Sequence, residues 1–465
     1  MTVCVVGSGA REHALAVALA RSEDVVVAPG NPGTEGRSAE GNRISRTDRS
    51  PLEVAADLFV IGPEQPLVDG LADQLRALGR TVLGPGADGA RLEGSKAFMK
   101  QICAEAGVPT AAWGVFDEIE AALGFLRSLP GPYVVKTDGL AGGKGVLVTE
   151  ELGEAVADVR AKLLGESFGP AGRKVVVEEG LSGPELSLLV LCDGRRLVPL
   201  PPAQDHKRLE DGDRGPNTGG MGACSPVPVA TGAVVDEIME RIVEPTVGRL
   251  RRHGIDYRGV LYAGCMLTSA GPKLLEYNVR FGDPEAEVVL GRIGGDVAAL
   301  LRGAAEGRLH DLDAAPPSAS VCVVLATAGY PESPRAGDAI EGLEQAGTVE
   351  GVTVFQGGTA RDADGVLRTA SGRVLAVTSL ASDLATARRR AYDAAGQVGF
   401  DGVQYRGDIA AAAAGAVDLD ALAAAAAAAA GGGGTGGSGS AGAGAGAGRG
   451  APATPGGAAT GERRR

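Results

Sequence analysis

The chain lacks any pair of cysteines at metal-binding or redox spacing. Its six cysteines, Cys4, Cys103, Cys192, Cys224, Cys265 and Cys322, are far apart and form no CxxC pair, so neither a zinc site nor a disulfide framework is indicated. Buried, reduced thiols are expected instead. No stretch reads as a membrane span, because the alanine run at 421–430 is too short and too weakly apolar. No basic segment with a cleavage site opens the chain; "TVCVVG" begins a strand pattern at once. Basic residues are outnumbered, leaving a formal net charge of −13, which argues against a nucleic-acid surface. Together these absences point to a cytoplasmic protein without nucleic-acid or membrane partners. Anionic ligands must then be drawn by local lysines and helix ends.

What is present is enough for several domains. A chain of 465 residues, 44% of them apolar, accommodates two to four units on the usual scale of ~100–200 residues each. Residues 1–92 alternate β-branched runs with helical patterns, the rhythm of a Rossmann-like parallel sheet with crossover helices. A mixed block, 93–314, follows. Within it, "YVVKTDGLAGGKGVLVTE", "KVVVEEG" and "ELSLLVLCDG" flank a helix and suggest a small α+β lid over about 115–186. Residues 315–409 read as a small β-rich domain with one helix near 382–398. From 410 to 465, poly-alanine and Gly/Ser-rich sequence cannot bury enough apolar area to offset ordering entropy, so a disordered tail is expected.

The stretch "LEYNVRFGDPEAE" at 275–287 carries the most concentrated chemistry. In a strand, Glu276, Asn278 and Arg280 share one face while Tyr277 and Val279 share the other. That face offers oxygen ligands to a hard cation beside a positive charge, as magnesium prefers. Earlier, "GSGAREHAL" follows the first strand and opens a helix, directing free N–H groups at an anion. A dinucleotide fingerprint needs a third glycine where Glu12 stands, so a phosphorylated small molecule fits better than a nicotinamide cofactor. "KTDGLAGGKGV" places Lys136 at a strand end and Lys144 in a glycine loop. It is not a Walker A loop, because Gly145 and a strand follow the lysine, but its amides can still close over a triphosphate. Glu178, Glu179, the backbone near Leu181, and Glu185 are placed to meet an adenosine. "QDHKR" and "GPNTGGMGA" are too elaborate for simple turns. His206 has no partner at ligand spacing.

These runs, with "VAPGNPGT", "IGPEQPLVDG", "LEGSKAF" and "GVLYAGCML", resemble in kind and order the ATP-grasp superfamily and, within it, the phosphoribosylamine–glycine ligase family. The resemblance spans residues 3 to about 290 and continues more weakly to about 405. It implies an α/β and α+β multidomain fold: an N-terminal Rossmann-like domain, an ATP-grasp core with a mobile lid, and a small C-terminal β-rich domain. It implies a ligase that uses ATP and Mg2+ or Mn2+ to join glycine to 5-phosphoribosylamine through a glycyl phosphate, giving glycinamide ribonucleotide, ADP and phosphate in purine synthesis. Carried onto this sequence, Glu276 and Asn278 bind the metal and Arg280 stabilises phosphoryl and acyl-phosphate oxygens. Lys96, Lys136 and Lys144, with Gly142 and Gly143, contact ATP phosphates, while Glu178, Glu179, Leu181 and Glu185 frame adenosine. Asp205 and Asp283 recognise amines. Gly7, Gly9, Arg11, Glu12 and His13, together with Gly62, Pro63 and Glu64, face the ribose phosphate, and Lys207, Asn217, Thr218, Gly219 and Gly220 complete the substrate side. A monomer is expected, with at most weak contact with other enzymes of purine synthesis.

Three departures from the family pattern stand out. Pro184 occupies a position where an acidic residue is common. Ala286-Glu287 replaces the usual Thr/Cys-Gln after "DPE", placing an extra carboxylate near the metal. The segment before "LFVIGPE" is several residues short, which trims one helix. Competing classes are another ATP-grasp ligase or carboxylase, a nucleotide-binding module without turnover, and a nicotinamide dehydrogenase, against which the missing glycine counts.

Overall fold

The computed structural model describes residues 1–141, 145–167, 173–313, 315 and 318–415. Strands β1 (Thr2–Gly7), β2 (Asp24–Pro29), β3 (Gly36–Arg37), β4 (Arg43–Arg46), β5 (Leu58–Ile61) and β6 (Val82–Leu83) form one sheet in the order β3-β4-β2-β1-β5-β6. Every pairing is parallel except β3 with β4. The central strands β1 and β5 are continuous apolar runs because both their faces are covered. β1 pairs β2 on one side and β5 on the other, so the chain reverses its direction of winding there. The crevice at the carboxyl ends of these strands is where such sheets bind ligands. The crossover from β4 to β5 carries only a 3-10 turn, Pro51–Glu53, in keeping with the helix trimmed from the sequence.

Four strands make the lid: β7 (Trp113–Phe116), β8 (Tyr133–Thr137), β9 (Val146–Thr149) and β10 (Val175–Glu179), in the order β7-β10-β8-β9. Val135, Val175 and Val177 pack with Leu123, Leu126 and Val159 of the covering helices. Alternation then sends Lys136 and Glu178 to the opposite face. "KVVVEEG" is β10 of this sheet, but "ELSLLVLCDG" is not among its strands. The latter is β11 (Glu185–Asp193), which pairs with β12 (Leu197–Pro199) and, antiparallel, with a later strand in a separate core sheet. The reason is burial: Leu186, Leu188 and Val190 enter one hydrophobic core, and Leu189 and Leu191 enter another. A strand apolar on both faces cannot serve a sheet that keeps one face for a ligand.

Next come β13 (Gln204–Asp205), β14 (Arg208–Glu210), β15 (Arg214–Asn217) and β16 (Gly222–Ser225), then β17 (Arg258–Thr268) and β18 (Gly271–Asn278), which complete the core sheet as β12-β11-β17-β18. The C-terminal part adds β19 (Ala319–Ala326), β20 (Val352–Gln356), β21 (Thr359–Arg361), β22 (Leu367–Thr369) and β23 (Arg373–Ala381). Its main sheet runs β13-β16-β19-β23-β20. Two strands from the preceding segment thus belong to this sheet, so hydrogen bonding continues across the compositional boundary near 314.

The N- and C-terminal parts also meet at the end of β20. His13, on the helix Ala10–Leu19, accepts the Gln356 N–H at its Nδ1 (2.9 Å) and packs edge-on to Phe355. Asn31 Nδ2 donates to the Gln356 carbonyl at 2.7 Å. Burial lowers the His13 pKa from its ordinary 6.5 to about 4, because a protonated ring has no water there and loses its acceptor nitrogen. The unfolded chain therefore binds the extra proton first, and this contribution to stability is complete above pH 6.5 and lost as pH falls toward 4. Urea unfolding at pH 7.5 and pH 5 should show the native protein losing about 2 kcal/mol more than His13→Asn over that interval. Equal losses would mean that the His13 pKa is the same in the folded and unfolded chain, contradicting its burial as a neutral ring.

Candidate active site

The site is assembled from loops at the carboxyl ends of β1 and β5. Glu12 is buried at 2% exposure. Its Oε2 accepts the Gly9 N–H at 2.6 Å and its Oε1 accepts Arg11 Nε at 2.6 Å. A Cβ added to Gly62 would lie 2.0 Å from Glu12 Oε1, and one on Gly7 2.6 Å from Glu12 Cδ. The carboxylate thus fills the space through which a dinucleotide would approach the helix, and the glycines admit it. Arg11 reaches on to the Phe281 carbonyl at 3.2 Å, tying this loop to the end of β18. Pro63 caps the short helix Glu64–Val68.

On the inner face of the lid, Glu178 receives two lysines: Lys100 Nζ at 2.7 Å and Lys136 Nζ at 2.9 Å. Lys100 also donates to Thr110 Oγ1 at 2.7 Å, and Thr110 to the Leu274 carbonyl at 2.6 Å. Burial works to lower Lys136, but Glu178 and Glu276 outweigh it and hold the group above its ordinary range. Burial prevails at Lys100 and Lys96, which are lowered, Lys96 against the opposing pull of Glu276. Lys96 Nζ donates to the Gly139 carbonyl at 3.1 Å. Glu179 turns outward instead, its Oε1 taking the Ala112 N–H and Lys273. Leu181 lies in the loop between β10 and β11.

Facing this group, β18 has a register shift against β17: Gly264 pairs Glu276 while Cys265 pairs Leu274. Leu275 is the extra residue of the bulge, and its carbonyl, released from the ladder, accepts Lys136 Nζ at 3.2 Å. Tyr277 and Val279 are buried in the core as alternation requires, leaving Glu276, Asn278 and Arg280 on the site face. Glu276 makes no hydrogen bond or ion pair among the described residues. Arg280 is gripped by Glu93 Oε1 at 2.7 Å and Glu64 Oε2 at 3.2 Å, and Asn278 Oδ1 accepts from it at 3.3 Å. Burial works against Arg280's charge, but Glu93 and Glu64 raise its pKa.

Across β11, Lys207 Nζ bridges Glu185 Oε2 at 2.7 Å and Asp205 Oδ1 at 2.9 Å. Burial opposes its charge, but Asp205 and Glu185 hold it well above its ordinary range. Glu285 Oε1 accepts from Tyr262 at 2.7 Å and from Ser187 at 3.2 Å. The loop after β15 is fixed by Thr218 Oγ1, which donates to the Lys207 carbonyl and accepts the Gly220 N–H. Asn217 pairs with Arg208 in the hairpin. Arg373, from the C-terminal sheet, reaches the carbonyls of Gly219 (2.7 Å) and Asp283 (2.8 Å) and the Asp283 carboxylate (3.2 Å). Beside it lies a cavity of about 540 Å3 walled by Ser8, Gly9, Gly30, Asn31, Asp283 and Arg373, among others. Gly9 and Asp283 among the expected substrate residues line it, whereas His13 points to β20. Gly142, Gly143 and Lys144 lie outside the described residues.

Four participants escaped the sequence reading. Lys100 stands four residues after Lys96 on one helix face. Glu93 stands three residues before Lys96 in "LEGSK", across the break at Ser95 between two helices. Glu285 was in plain view in "DPE". Arg373 is a single charge heading an apolar strand, which was the available signal.

A lid sheet and a core sheet that meet through buried lysines, joined to a Rossmann-like domain, define an ATP-grasp protein. Family models agree along the chain: "Phosphoribosylglycinamide synthetase, N domain" matches residues 1–93, the "ATP-grasp (A) domain" 94–286 and the "C domain" 320–412. The chain belongs to the phosphoribosylglycinamide synthetase family. It is 47% identical over 421 residues to the phosphoribosylamine–glycine ligase of Caulobacter vibrioides, covering 88% of this chain and 97% of that one. To the Streptomyces coelicolor ligase it is 47% identical over 428 residues, covering 89% and 99%. The crystal structure of the Thermotoga maritima ligase superposes with a TM-score of 0.75 at 35% identity, covering 88% of this chain and all (100%) of that one. The biotin carboxylase domain of Hydrogenobacter thermophilus 2-oxoglutarate carboxylase shares the fold alone, at TM-score 0.62 and 17% identity, covering 87% and 91%.

The departure at Glu287 has a structural answer. The side chain is 3% exposed and neither carboxylate oxygen has a hydrogen-bond partner among the described residues. Burial first, then the neighbouring Asp283, push its pKa well above the carboxylate range, against Arg373 and Arg11. The neutral acid is favoured, so the extra negative charge expected beside the metal is suppressed. Because the folded state holds this proton more tightly than the unfolded chain, the associated stability is complete below the ordinary carboxylate pKa and is lost as pH rises. Glu287→Gln should therefore be more stable than the native protein at pH 8, with the advantage shrinking toward pH 4. A thermal-melting series showing no pH-dependent gain would contradict the buried acid.

Proposed function

We propose that this protein is an ATP-dependent ligase that joins glycine to 5-phosphoribosylamine through a glycyl phosphate, releasing glycinamide ribonucleotide, ADP and phosphate in purine synthesis. The observation that carries the reading is one short loop after β18. It holds Arg280 beside Asn278 at one end and sets Asp283 into the wall of the 540 Å3 cavity at the other. A nucleotide cleft and a cavity bounded by glycine loops and a helix start are thereby joined by a single turn of chain. The start of the helix Ala10–Leu19 offers backbone donors suited to a sugar phosphate.

Glycine's carboxylate is a poor acyl donor, so it must first attack the γ-phosphorus of ATP. Lys96 and Lys136 hold the phosphates, and the backbone around Glu179 and Leu181, with Glu185, frames the adenosine. Charge grows on the phosphoryl oxygens as the group transfers, and Arg280, already fixed by Glu64 and Glu93, is positioned to stabilise it without reorganising. Asp283 and Asp205 accept hydrogen bonds from the amines of the two substrates and orient the attacking nitrogen toward the acyl carbon. Phosphate then leaves with an oxygen from glycine. The donor set fits a hard divalent cation: the Glu276 carboxylate has no hydrogen bond or ion pair among the described residues, and Asn278 adds an amide oxygen. Mg2+ or Mn2+ held there would neutralise phosphate charge during transfer.

Release of ADP from Mg-ATP should require both glycine and phosphoribosylamine, and the product should have the mass of glycinamide ribonucleotide. Glu276→Ala should lose turnover by about a hundredfold or more, with an unchanged circular dichroism spectrum and melting temperature. Full activity in that variant would remove the proposed metal site.

A further inference from the structure

We propose that the segment Arg406–Ala410 is a positioning element for the active site, acting through β13, β14 and β15 on Asp205 and Lys207. Arg406 is among the most deeply buried large side chains, at 1% exposure. Its Nε and Nη2 clasp Asp408 at 2.7 Å each, and its Nη1 donates to Asp213 Oδ1 at 2.8 Å and to the Arg208 carbonyl at 3.1 Å. The contact is reciprocated along the hairpin: the Gly407 N–H donates to Asp211 (2.7 Å) and the Gly212 N–H to Asp408 (2.8 Å). His206 Nε2 accepts the Ala410 N–H at 3.4 Å. On the other side, Tyr392 donates to the Arg406 carbonyl (2.7 Å), and Arg388 to the carbonyls of Gly407 (2.6 Å) and Ile409 (2.9 Å). The segment is thus pinned to the helix Leu384–Ala395 and in turn pins the hairpin.

The hairpin needs such support. Among the described residues β14 and β15 pair only with each other, with a register shift between Arg208 and Glu210, and an isolated two-stranded ribbon is marginal in water. The clamp holds the side chain of His206 and the backbone of Arg208. Asp205 and Lys207 alternate with these and turn toward Glu185. Lys207 therefore stands between two residues fixed by a segment about 200 positions away in sequence, as the separations of 198 and 204 show.

The inference rests on the ligase reading, and one experiment separates the two. Steady-state kinetics would be measured on the native enzyme, Arg406→Lys and Asp213→Asn, alongside equilibrium ATP binding and melting temperature. Lysine keeps the charge but cannot span Asp408, Asp213 and the Arg208 carbonyl. Asp213 has a side chain 70% exposed and a φ of 53°, a conformation that asparagine tolerates, so its variant is expected to fold. Both variants should lose about tenfold in kcat/KM for glycine, the scale of a small misplacement of a positioned group. ATP affinity should fall much less than kcat/KM, because Lys96, Lys136 and Glu178 lie on elements the clamp does not touch and Glu185, though bonded to Lys207, is held on β11 by its pairing with β17. Native kinetics in folded Asp213→Asn, or a matching loss of ATP affinity, would overturn the proposal. A native enzyme without glycine-dependent turnover would instead overturn the ligase reading.

Discussion

The structure depends on a carboxylate that two lysines share inside the protein. Glu178 lies between Lys100 and Lys136, and none of the three charges would be tolerable there alone, since an unpaired buried ion costs several kcal/mol. Together they leave one net positive charge on the inner face of the lid. Their remaining hydrogen bonds reach Thr110 and the Leu275 carbonyl. The bulge at Leu275 in turn puts Glu276 on the same face as Asn278 and Arg280. One charge arrangement thereby ties the lid to the core strand that carries these three side chains.

The other domains extend that arrangement. The short helix that follows β5 contributes Glu64, which with Glu93 holds Arg280. The C-terminal sheet incorporates β13 and β16 and supplies Arg373 to the loops around Asp283. His13 accepts the Gln356 N–H and Asn31 donates to the Gln356 carbonyl at the end of β20, so the first helix and the loop after β2 form a joint between domains. The cavity exists because three parts of the chain converge on it.

Strands such as β1, β5 and β8 were legible because alternation and continuous apolar runs are local. Membership of a sheet was less so. β11 reads like any apolar strand, and only the two cores that bury its opposite faces place it with β17 instead of β10. The site face of Glu276, Asn278 and Arg280 followed from period two, since Tyr277 and Val279 go into the core. Lys100 was missed because a second lysine four residues along a helix reads as a solvated charge until Glu178 is seen above it. Arg373 and Arg406 act on partners separated by 154 and 193 residues, a distance at which no local pattern carries information. Glu12 was informative as an absence of glycine, but only the structure shows its carboxylate occupying the vacated space.

The central claim is that this site activates a carboxylate by moving a phosphoryl group onto it, with Arg280 and the lysines stabilising the charge that develops. Turnover of glycine labelled with 18O in both carboxylate oxygens, in the presence of Mg-ATP and phosphoribosylamine, tests it most directly. The account predicts one 18O atom in each inorganic phosphate released, read by mass spectrometry. Phosphate free of label would contradict a glycyl phosphate and with it the role assigned to this arrangement.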